Sequence, residues 1–502
     1  MSKVVDASSF AGDSENNKPK EIPRTSSILP NEEVPLFFIL LCTLCMSVLY
    51  SNVLTYHVTI TQLHDYGNGS KADFYDDYDI RRINDSRVNV TIHKHRFLSN
   101  PQKEALISVA PLGGLISWFP IAHAYNQMGF RRCFVLCAVL AIIPSVFVPI
   151  CTSARTFLLA IVVRVLQGFS LAVFLPYLCK IALFIPLRHM AFPSIIFAYI
   201  QVAAFFAFPI FSLLSWSQLG WHSVHYGGCL ATAFMFGVFL LINYDDEFKE
   251  KAARESTFNA LFTYERCRSR IITLRLPYLS IYQDIRVWSV FIAAFGYFTA
   301  LNLYLTFGAT FLNKVVRLPI VSTGLLLAIP PACNVASNFL TCGLFSKLAN
   351  TETNKIRFFN TLGSVPSGIL FAMIGLFDPE RQPGSVTTLF IVASSLLGFS
   401  SCGFFRMSQL RSQQHHLFLL ANLFLINCVS MFLTSLFNVL IAHNDDYSTW
   451  AAVLILHGAI LVLTNVIFCM FASAEAAEWT KDGYEDSSIR PVREDPLPQR
   501  PL

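Results

Sequence analysis

Twelve apolar runs follow one another along the chain, each about as long as the 20 residues that a helix needs to cross a bilayer. They lie near residues 36–57, 105–125, 132–151, 156–178, 193–214, 224–243, 288–311, 319–345, 357–377, 386–405, 416–440 and 450–472. The chain is 54% hydrophobic and only 14% charged, against roughly 25% charged in a soluble domain. The apolar core of a soluble domain stops growing at about 250 to 300 residues, so one such core could not bury this many apolar side chains. The sequence therefore predicts an all-α integral membrane protein with twelve transmembrane helices.

The charged residues between the apolar runs predict how the chain is oriented in the membrane. Residues 1–35 are polar and contain no basic-then-apolar leader pattern, so we expect the first run to remain as a span with a cytosolic amino terminus. With this orientation the short inner loops carry nine basic residues and the short outer loops carry four. This bias follows the positive-inside rule and places both termini in the cytosol.

A second indication of orientation lies in the long polar loop at 58–104. It contains three N-x-S/T acceptor sequences, at Asn68, Asn84 and Asn89. Such acceptors are glycosylated on the luminal or extracellular side. We therefore predict a glycosylated outer loop and a glycoprotein.

A charged segment at 245–287 separates the first six runs from the last six. We interpret it as a solvated cytosolic linker. The predicted organisation is a cytosolic tail at 1–35, a six-helix bundle at 36–244, the linker at 245–287, a second bundle at 288–472 and a cytosolic tail at 473–502.

Short motifs in this framework are similar to those of a known family. The fourth run reads Arg164-Val-Leu-Gln167-Gly168, the sixth is preceded by Gly220-Trp221-His222-Ser223-Val224, and Glu478-Trp479 follows the twelfth. In these residues the chain resembles the major facilitator superfamily, in particular the group of sodium/phosphate cotransporters, vesicular glutamate transporters and sialin. The resemblance implies two six-helix bundles related by an axis along the membrane normal. It also implies secondary active transport of a small anion, by symport with Na⁺ or H⁺ as the coupling ion.

The chain departs from this pattern at three positions. Asn126 and the residues after it replace the superfamily's usual acidic loop motif, although Gly129 and a basic pair remain. Leu171 and Tyr50 stand where the glutamate-carrying relatives have Glu and Arg. These departures argue against glutamate as substrate and against proton coupling through a carboxylate.

Arg164 is the predicted substrate-binding residue. Counting from Thr156 at 1.5 Å per residue places it roughly 12 Å inside the membrane. No Asp or Glu lies in the interior of any of the twelve runs. A guanidinium without an acidic partner suits a bound carboxylate or phosphate. The alternative is an Arg that holds helix carbonyl groups or gating residues.

Further candidates lie in the second half. Asn302 and Tyr304 are predicted to line the substrate pathway, because the seventh span borders it in this superfamily. His457 is the candidate for proton coupling, since its ordinary pKa lies near 6.5; the alternative is a hydrogen bond to a neighbouring helix. Gly113, Gly114, Gly168 and Gly324 are interpreted as sites of close helix contact.

The sequence contains no catalytic signature and no metal-ligand spacing, so we expect no enzyme activity, no metal site and no resident cofactor. The expected partners are a small anionic substrate and the lipid bilayer, without nucleic acid, and we expect a monomer. The prediction is a multi-pass transporter of the plasma membrane or an intracellular vesicle, working by alternating access around Arg164. The alternatives are a non-transporting receptor or scaffold on a transporter fold and, less favoured without a catalytic cluster, a membrane-embedded enzyme.

Overall fold

The computed structural model describes residues 36–59, 100–153, 156–187, 189–242, 276–442 and 446–481. Within these ranges all regular secondary structure is helical. The predicted glycosylation sites Asn68, Asn84 and Asn89, most of the linker, the whole amino-terminal tail and most of the carboxy-terminal tail lie outside the described residues.

The first half contains six long helices. Their bounds are α1 Leu36–Thr59, α2 residues 100–128, α3 residues 130–153, α4 Phe157–Ile181, α5 Phe192–Trp216 and α6 His222–Leu241. Helices α2 and α3 form one continuous segment, Asn100–Ser153, which is interrupted at Gly129 with φ 82° and ψ 176°. This left-handed conformation favours glycine, so Gly129 marks the turn between the two spans.

The second half repeats this plan after a short helix at Tyr278–Gln283. Its bounds are α7 Ile285–Val315, α8 Ile320–Lys347, α9 Glu352–Ile374, α10 residues 383–412, α11 His416–Ile441 and α12 Tyr447–Phe471. The chain turns from α10 into α11 near Gln413, where φ is 45°.

The helices agree with the predicted membrane fold. Nine segments among the described residues are long and apolar enough to cross a bilayer. Two of these segments, Glu104–Thr152 and Pro383–Ile441, each contain two helices, and α9 adds a further helix of 23 residues. The structure is therefore consistent with twelve spans.

Several helix ends differ from the apolar runs by a few residues. Helix α7 begins at Ile285, three residues before the predicted start, because the Asp284 carboxylate accepts a hydrogen bond from the Arg286 amide and caps the helix. Helix α9 begins at Glu352, five residues early, and its cap is the Thr351 hydroxyl. Capping residues are polar and therefore lie beyond the apolar run that predicts each span.

The halves meet mainly where α2 contacts α11 and α5 contacts α8, and also where α4 contacts α11 and α5 contacts α10. Aromatic side chains fill the junction on the predicted cytosolic side of the membrane. The Phe174 and Phe424 rings stack with centroids 4.5 Å apart, and the Phe197 and Phe405 rings lie 5.1 Å apart. These contacts pack the two halves against each other at that level.

Candidate functional site

Arg164 lies inside the first half, on α4. It is the eighth residue of this helix, which places it about 10 Å from the first turn at 1.5 Å per residue. The side chain is 1% exposed. Its Nε donates to the Leu106 carbonyl oxygen at 3.0 Å, and its Nη1 donates to the Gln167 Oε1. The guanidinium carbon also lies 4.6 Å from the centroid of the Tyr56 ring, a cation–π distance.

Gln167 holds Arg164 in place, since it lies one turn further along the same helix. Its Nε2 donates to the Asn52 carbonyl oxygen and to the Ser145 hydroxyl, both at 2.7 Å. The Gln167 amide thus connects α4 to α1 and α3, while its oxygen accepts from Arg164. The R-x-x-Q spacing is the local sequence feature that makes this arrangement, because residues three apart share a helix face.

Arg164 and three residues near the end of α1 contain polar atoms that are buried without a hydrogen-bond partner. They are Arg164 Nη2, the Tyr56 hydroxyl, both ring nitrogens of His57 and Asn52 Oδ1. Buried polar groups normally find partners, because an unmade hydrogen bond costs about 1–3 kcal/mol. The cluster contains the guanidinium and hydroxyl as donors, so it suits a ligand that is rich in acceptor oxygens.

A second imidazole, that of His225, connects the outer end of α1 to α6. His225 of α6 lies 3.3 Å from the hydroxyls of both Thr55 and Thr59. Its ring is therefore engaged on both nitrogens, unlike that of His57. Asn52 Nδ2 also donates to the Thr232 hydroxyl at 2.7 Å, which ties α1 to α6 one turn deeper.

Sequence reasoning missed Tyr56 and His57. Both lie at the end of the first apolar run, where aromatic residues such as Tyr are typical of the membrane interface. The signal that could have found them is the polar cluster Thr55-Tyr56-His57 inside the helix end.

No acidic residue was predicted in the interior of the apolar runs, but helix α2 extends beyond its run and contains one. This helix begins at Asn100, five residues before the predicted run, and so includes Glu104. Glu104 lies two residues before Leu106, whose carbonyl accepts from Arg164. Arg164 nevertheless forms no ion pair with any described residue.

Asn302 and Tyr304 lie on α7, in the second half, and both are fully buried. Asn302 Nδ2 donates to Asn427 Oδ1 of α11 at 3.1 Å. The Tyr304 hydroxyl donates to the Leu327 carbonyl oxygen of α8, and its ring lies 5.8 Å from that of Phe208 on α5. Tyr304 therefore lies where the two halves meet. These hydrogen bonds and the ring contact are with α5, α8 and α11, and none is with Arg164.

His457 lies on α12, inside the second half, where its ring faces α11. Its Nδ1 bonds to the Val453 carbonyl oxygen of its own helix at 2.7 Å, and its ring lies edge-on to Phe437 at 6.1 Å. Its Nε2 is buried without a partner. The structure thus places the predicted proton-coupling residue and the predicted anion-binding residue in different bundles.

The predicted glycine contacts are close. A Cβ built on Gly168 would lie 1.9 Å from the Ala110 carbonyl oxygen of α2, and one on Gly113 would lie 2.1 Å from the Val165 carbonyl oxygen of α4. Glycine at these positions lets α2 approach α4 closely enough for Arg164 to reach the Leu106 carbonyl.

Comparisons with known proteins agree with this architecture. The family model of the Major Facilitator Superfamily matches residues 36–424. Sodium-dependent phosphate transport protein 1 of Mus musculus is 22% identical over 272 residues, a match that covers 53% of this chain and 57% of the mouse protein. The protein of the same description from Rattus norvegicus matches at the same identity and coverage. The chain thus matches little more than half the length of these relatives.

Solved transporter structures share the fold. The D-xylose-proton symporter superposes with a TM-score of 0.62 at 13% identity, covering 88% of this chain and 98% of the symporter. A bacterial homologue of the human lysosomal transporter Spinster gives 0.58 at 12% identity, covering 88% and 98%. The nucleoside transporter NupG gives 0.57 at 15% identity, covering 88% and 99%. Because the family model covers most of the chain, this protein belongs to the major facilitator superfamily of membrane transporters.

Proposed function

We propose that this protein is a secondary active transporter of a small anion, either an organic anion or inorganic phosphate. The substrate binds at Arg164, and the two six-helix bundles alternate in opening this site to each side of the membrane. The observation that carries the proposal is the buried Arg164 guanidinium, which lies against the Tyr56 ring, has no ion pair among the described residues and keeps Nη2 unpartnered.

Electrostatics favours an anion over a neutral or cationic substrate. A charged Arg in a span costs about 2.5–3.5 kcal/mol on insertion scales. Neither a main-chain carbonyl nor the Gln167 amide neutralises this charge. A bound carboxylate or phosphate supplies the missing negative charge and accepts from Nη2. The similarity to sodium-dependent phosphate transport protein 1 supports phosphate as the first anion to test.

The coupling ion in this proposal is Na⁺ or H⁺. A proton route through His457 would run within the second bundle, because its contacts are with Val453 and Phe437. A substrate role for Asn302 and Tyr304 also remains part of the proposal. Tyr304 has the stronger support, since its ring contacts Phe208 of the other half.

Uptake into proteoliposomes tests the proposal. Purified protein is assayed with radiolabelled phosphate and a panel of organic carboxylates, at two pH values, with Na⁺ or choline. We expect at least one anion to accumulate. Charge-assisted hydrogen bonds contribute about 1.5–3 kcal/mol, so Arg164→Ala should weaken apparent affinity roughly 10- to 100-fold. Arg164→Lys should weaken it as well, because an ammonium lacks the fork of donors that now reaches Leu106 and Gln167.

Arg381→Ala is the matched control. Arg381 is 86% exposed and pairs with Asp378 on the surface, so its loss should leave uptake unchanged. Wild-type uptake by both Arg164 variants would contradict the site. Absence of uptake of every anion by the folded wild-type protein would favour the receptor or scaffold alternative.

A further inference from the structure

Two cysteines face each other across the contact between α8 and α10 in the second half. The Sγ atoms of Cys342 on α8 and Cys402 on α10 lie 3.8 Å apart. Cys402 is 2% exposed, whereas Cys342 is half-buried. A disulfide bond is about 2.05 Å long, so the two sulfur atoms need to approach each other by only about 1.8 Å to form one. The function proposed above uses neither thiol, so this pair needs its own explanation.

Helices α8 and α10 lie unusually close together beside the two cysteines. A Cβ built on Gly398 of α10 would lie 2.0 Å from the Ser337 Oγ and 2.7 Å from the Asn334 Cα of α8. The Gly398 amide also donates to the Asn334 Oδ1 at 2.9 Å. Disulfides join residues whose Cα atoms are usually 4.4–6.8 Å apart, so the two backbones must come close. Glycine at position 398 allows this approach, because any larger residue would collide with α8.

The two helices stay in register from this contact to the cysteines. The hydroxyls of Thr341 and Ser401, which directly precede the cysteines, lie 3.4 Å apart. Helix α10 is a 3₁₀ helix at Leu397–Cys402. Three residues of a 3₁₀ helix rise about 6 Å, as do four residues of an α-helix. The step from Gly398 to Ser401 therefore matches the step from Ser337 to Thr341, and the fold holds the two thiols opposite each other.

The cysteine pair lies at a joint in α10. The 3₁₀ segment ends at Cys402, and the next residue, Gly403, has φ −87° and ψ −103°, outside the helical region. The helix resumes at Phe404–Ser412. A 3₁₀ stretch inside a longer helix often marks a hinge. The part beyond the joint carries Gln409, whose amide bonds to two carbonyl groups of the first half. A covalent bond from Cys402 to α8 would therefore restrain this joint.

The location of the pair indicates a reversible bond rather than a permanent one. Cys342 lies five residues before Lys347, the last residue of α8, and so about 7.5 Å from the predicted cytosolic end of the helix. Disulfides in contact with the cytosol are usually transient and redox-sensing. Redox-sensing cysteines are accessible and often lie next to a second cysteine that resolves the oxidised form. The half-buried Cys342 fits the first role, and the buried Cys402 fits the second.

We propose that Cys342 and Cys402 form a reversible disulfide when the protein meets a peroxide, and that this bond cross-links α8 to α10. The Cys342 thiolate attacks one oxygen of hydrogen peroxide, the O–O bond breaks, and a sulfenic acid and one water molecule form. The Cys402 sulfur then attacks the sulfenic sulfur, whose S–O bond breaks to release a second water molecule. The two thiols lose two electrons and two protons, which reduce one peroxide to two water molecules. A dithiol reverses the bond by thiol–disulfide exchange.

The cross-link slows the alternation between the two open states, a step that rests on the proposed function. Opening on the predicted cytosolic side requires the part of α10 that carries Gln409 to leave the first half. Oxidation fixes the joint at Cys402 against α8 and opposes this movement. The oxidised protein therefore remains closed on that side for longer, and transport slows.

Mass spectrometry of the purified full-length protein tests the cross-link without requiring transport. The protein is treated with hydrogen peroxide, its remaining thiols are alkylated, and it is digested without reduction. We expect a peptide pair joined through Cys342 and Cys402 that disappears with dithiothreitol and is absent from Cys342→Ser. Cys333→Ser is the matched control, because Cys333 is exposed on the same helix, and it should form the cross-link as the wild type does. Oxidation of Cys333 without this cross-link in the folded wild type would overturn the proposal.

Hydrogen–deuterium exchange and uptake test the effect on α10. Oxidation should slow exchange in peptides covering 404–408 and reduce the initial rate of anion uptake several-fold, and dithiothreitol should restore both. Cys402→Ala with a wild-type melting temperature should respond to peroxide in neither measurement. A complete cross-link with unchanged exchange would contradict the restraint on the joint. A cross-link in a protein that transports no anion even when reduced would refute the proposed function and leave the disulfide standing, whereas anion uptake without the cross-link would do the reverse.

Discussion

A single residue, Arg164, carries the chemistry proposed for the first bundle. Its charge is distributed over a main-chain carbonyl, an amide and the face of an aromatic ring. None of these groups carries a full negative charge, so the guanidinium is positioned without being neutralised. One contact, with Leu106, is of the kind that a purely structural Arg would make. The unpartnered Nη2 beside Tyr56 is the feature that a purely structural role does not explain.

Tyr56→Phe separates the ring of Tyr56 from its hydroxyl. The ring contacts the Arg164 guanidinium, whereas the buried hydroxyl has no partner. Removing an unsatisfied hydroxyl costs little stability, so we expect an unchanged melting temperature. If this hydroxyl donates to the anion, KM for uptake should rise about 3- to 10-fold, the equivalent of one neutral hydrogen bond. An unchanged KM would remove Tyr56 from the anion site.

The sequence predicted Arg164 because a charged residue is conspicuous in an apolar run. It could not predict that the Tyr56 ring lies against it, since the distance between α1 and α4 is a tertiary property. Asn302 illustrates the same limit: its polarity and depth were visible, but its bond to Asn427 depends on the contact between α7 and α11.

At the scale of elements, the spans follow from hydropathy while their irregularities follow from packing. The runs predicted the helices, and caps such as Asp284 and Thr351 explain the shifted ends. The π-helical turn of α7 at Leu303–Phe307 has no comparable signal, because this is an ordinary apolar stretch with one hydroxyl and one phenol. The contact of α2 with α4 could be predicted in part. The sequence indicated its glycines as sites of close helix contact, but it did not give the distance between the two helices.

Gly168→Ala tests how far the α2–α4 contact controls the site. Alanine is the better helix former by about 1 kcal/mol, but its Cβ would lie 1.9 Å from the Ala110 carbonyl oxygen. Overpacking costs about 1–3 kcal/mol, so we expect a lower melting temperature of the purified protein. Gly237→Ala is the control, because a Cβ there meets nothing within 4 Å, and its melting temperature should be unchanged or higher. Equal effects of the two substitutions would show that helix propensity dominates.

At the scale of the whole molecule, the two halves are held together by direct contacts on the predicted cytosolic side. Gln409 of α10 donates from Nε2 to the carbonyl oxygens of Leu187 and His189, at 2.5 and 2.7 Å. Leu187 and His189 belong to the segment between α4 and α5, so this amide bridges the bundles. The Phe192 and His416 rings meet nearby with centroids 6.1 Å apart. Alternating access requires these contacts to break whenever the site opens to that side.

Gln409→Ala should therefore shift the population toward the state that is open on the predicted cytosolic side. It removes two hydrogen bonds between the halves, each contributing about 0.5–1.5 kcal/mol, and so should increase the open population several-fold or more. Hydrogen–deuterium exchange read by mass spectrometry is expected to be faster in peptides covering 192–197 and 404–408. Gln414→Ala is the control, since Gln414 bonds to the Thr480 carbonyl oxygen within the second half and its loss leaves the bridge intact. If both variants exchanged alike, opening would be limited by the aromatic contacts of Phe174 and Phe424 instead, and Gln409 would not control the gate.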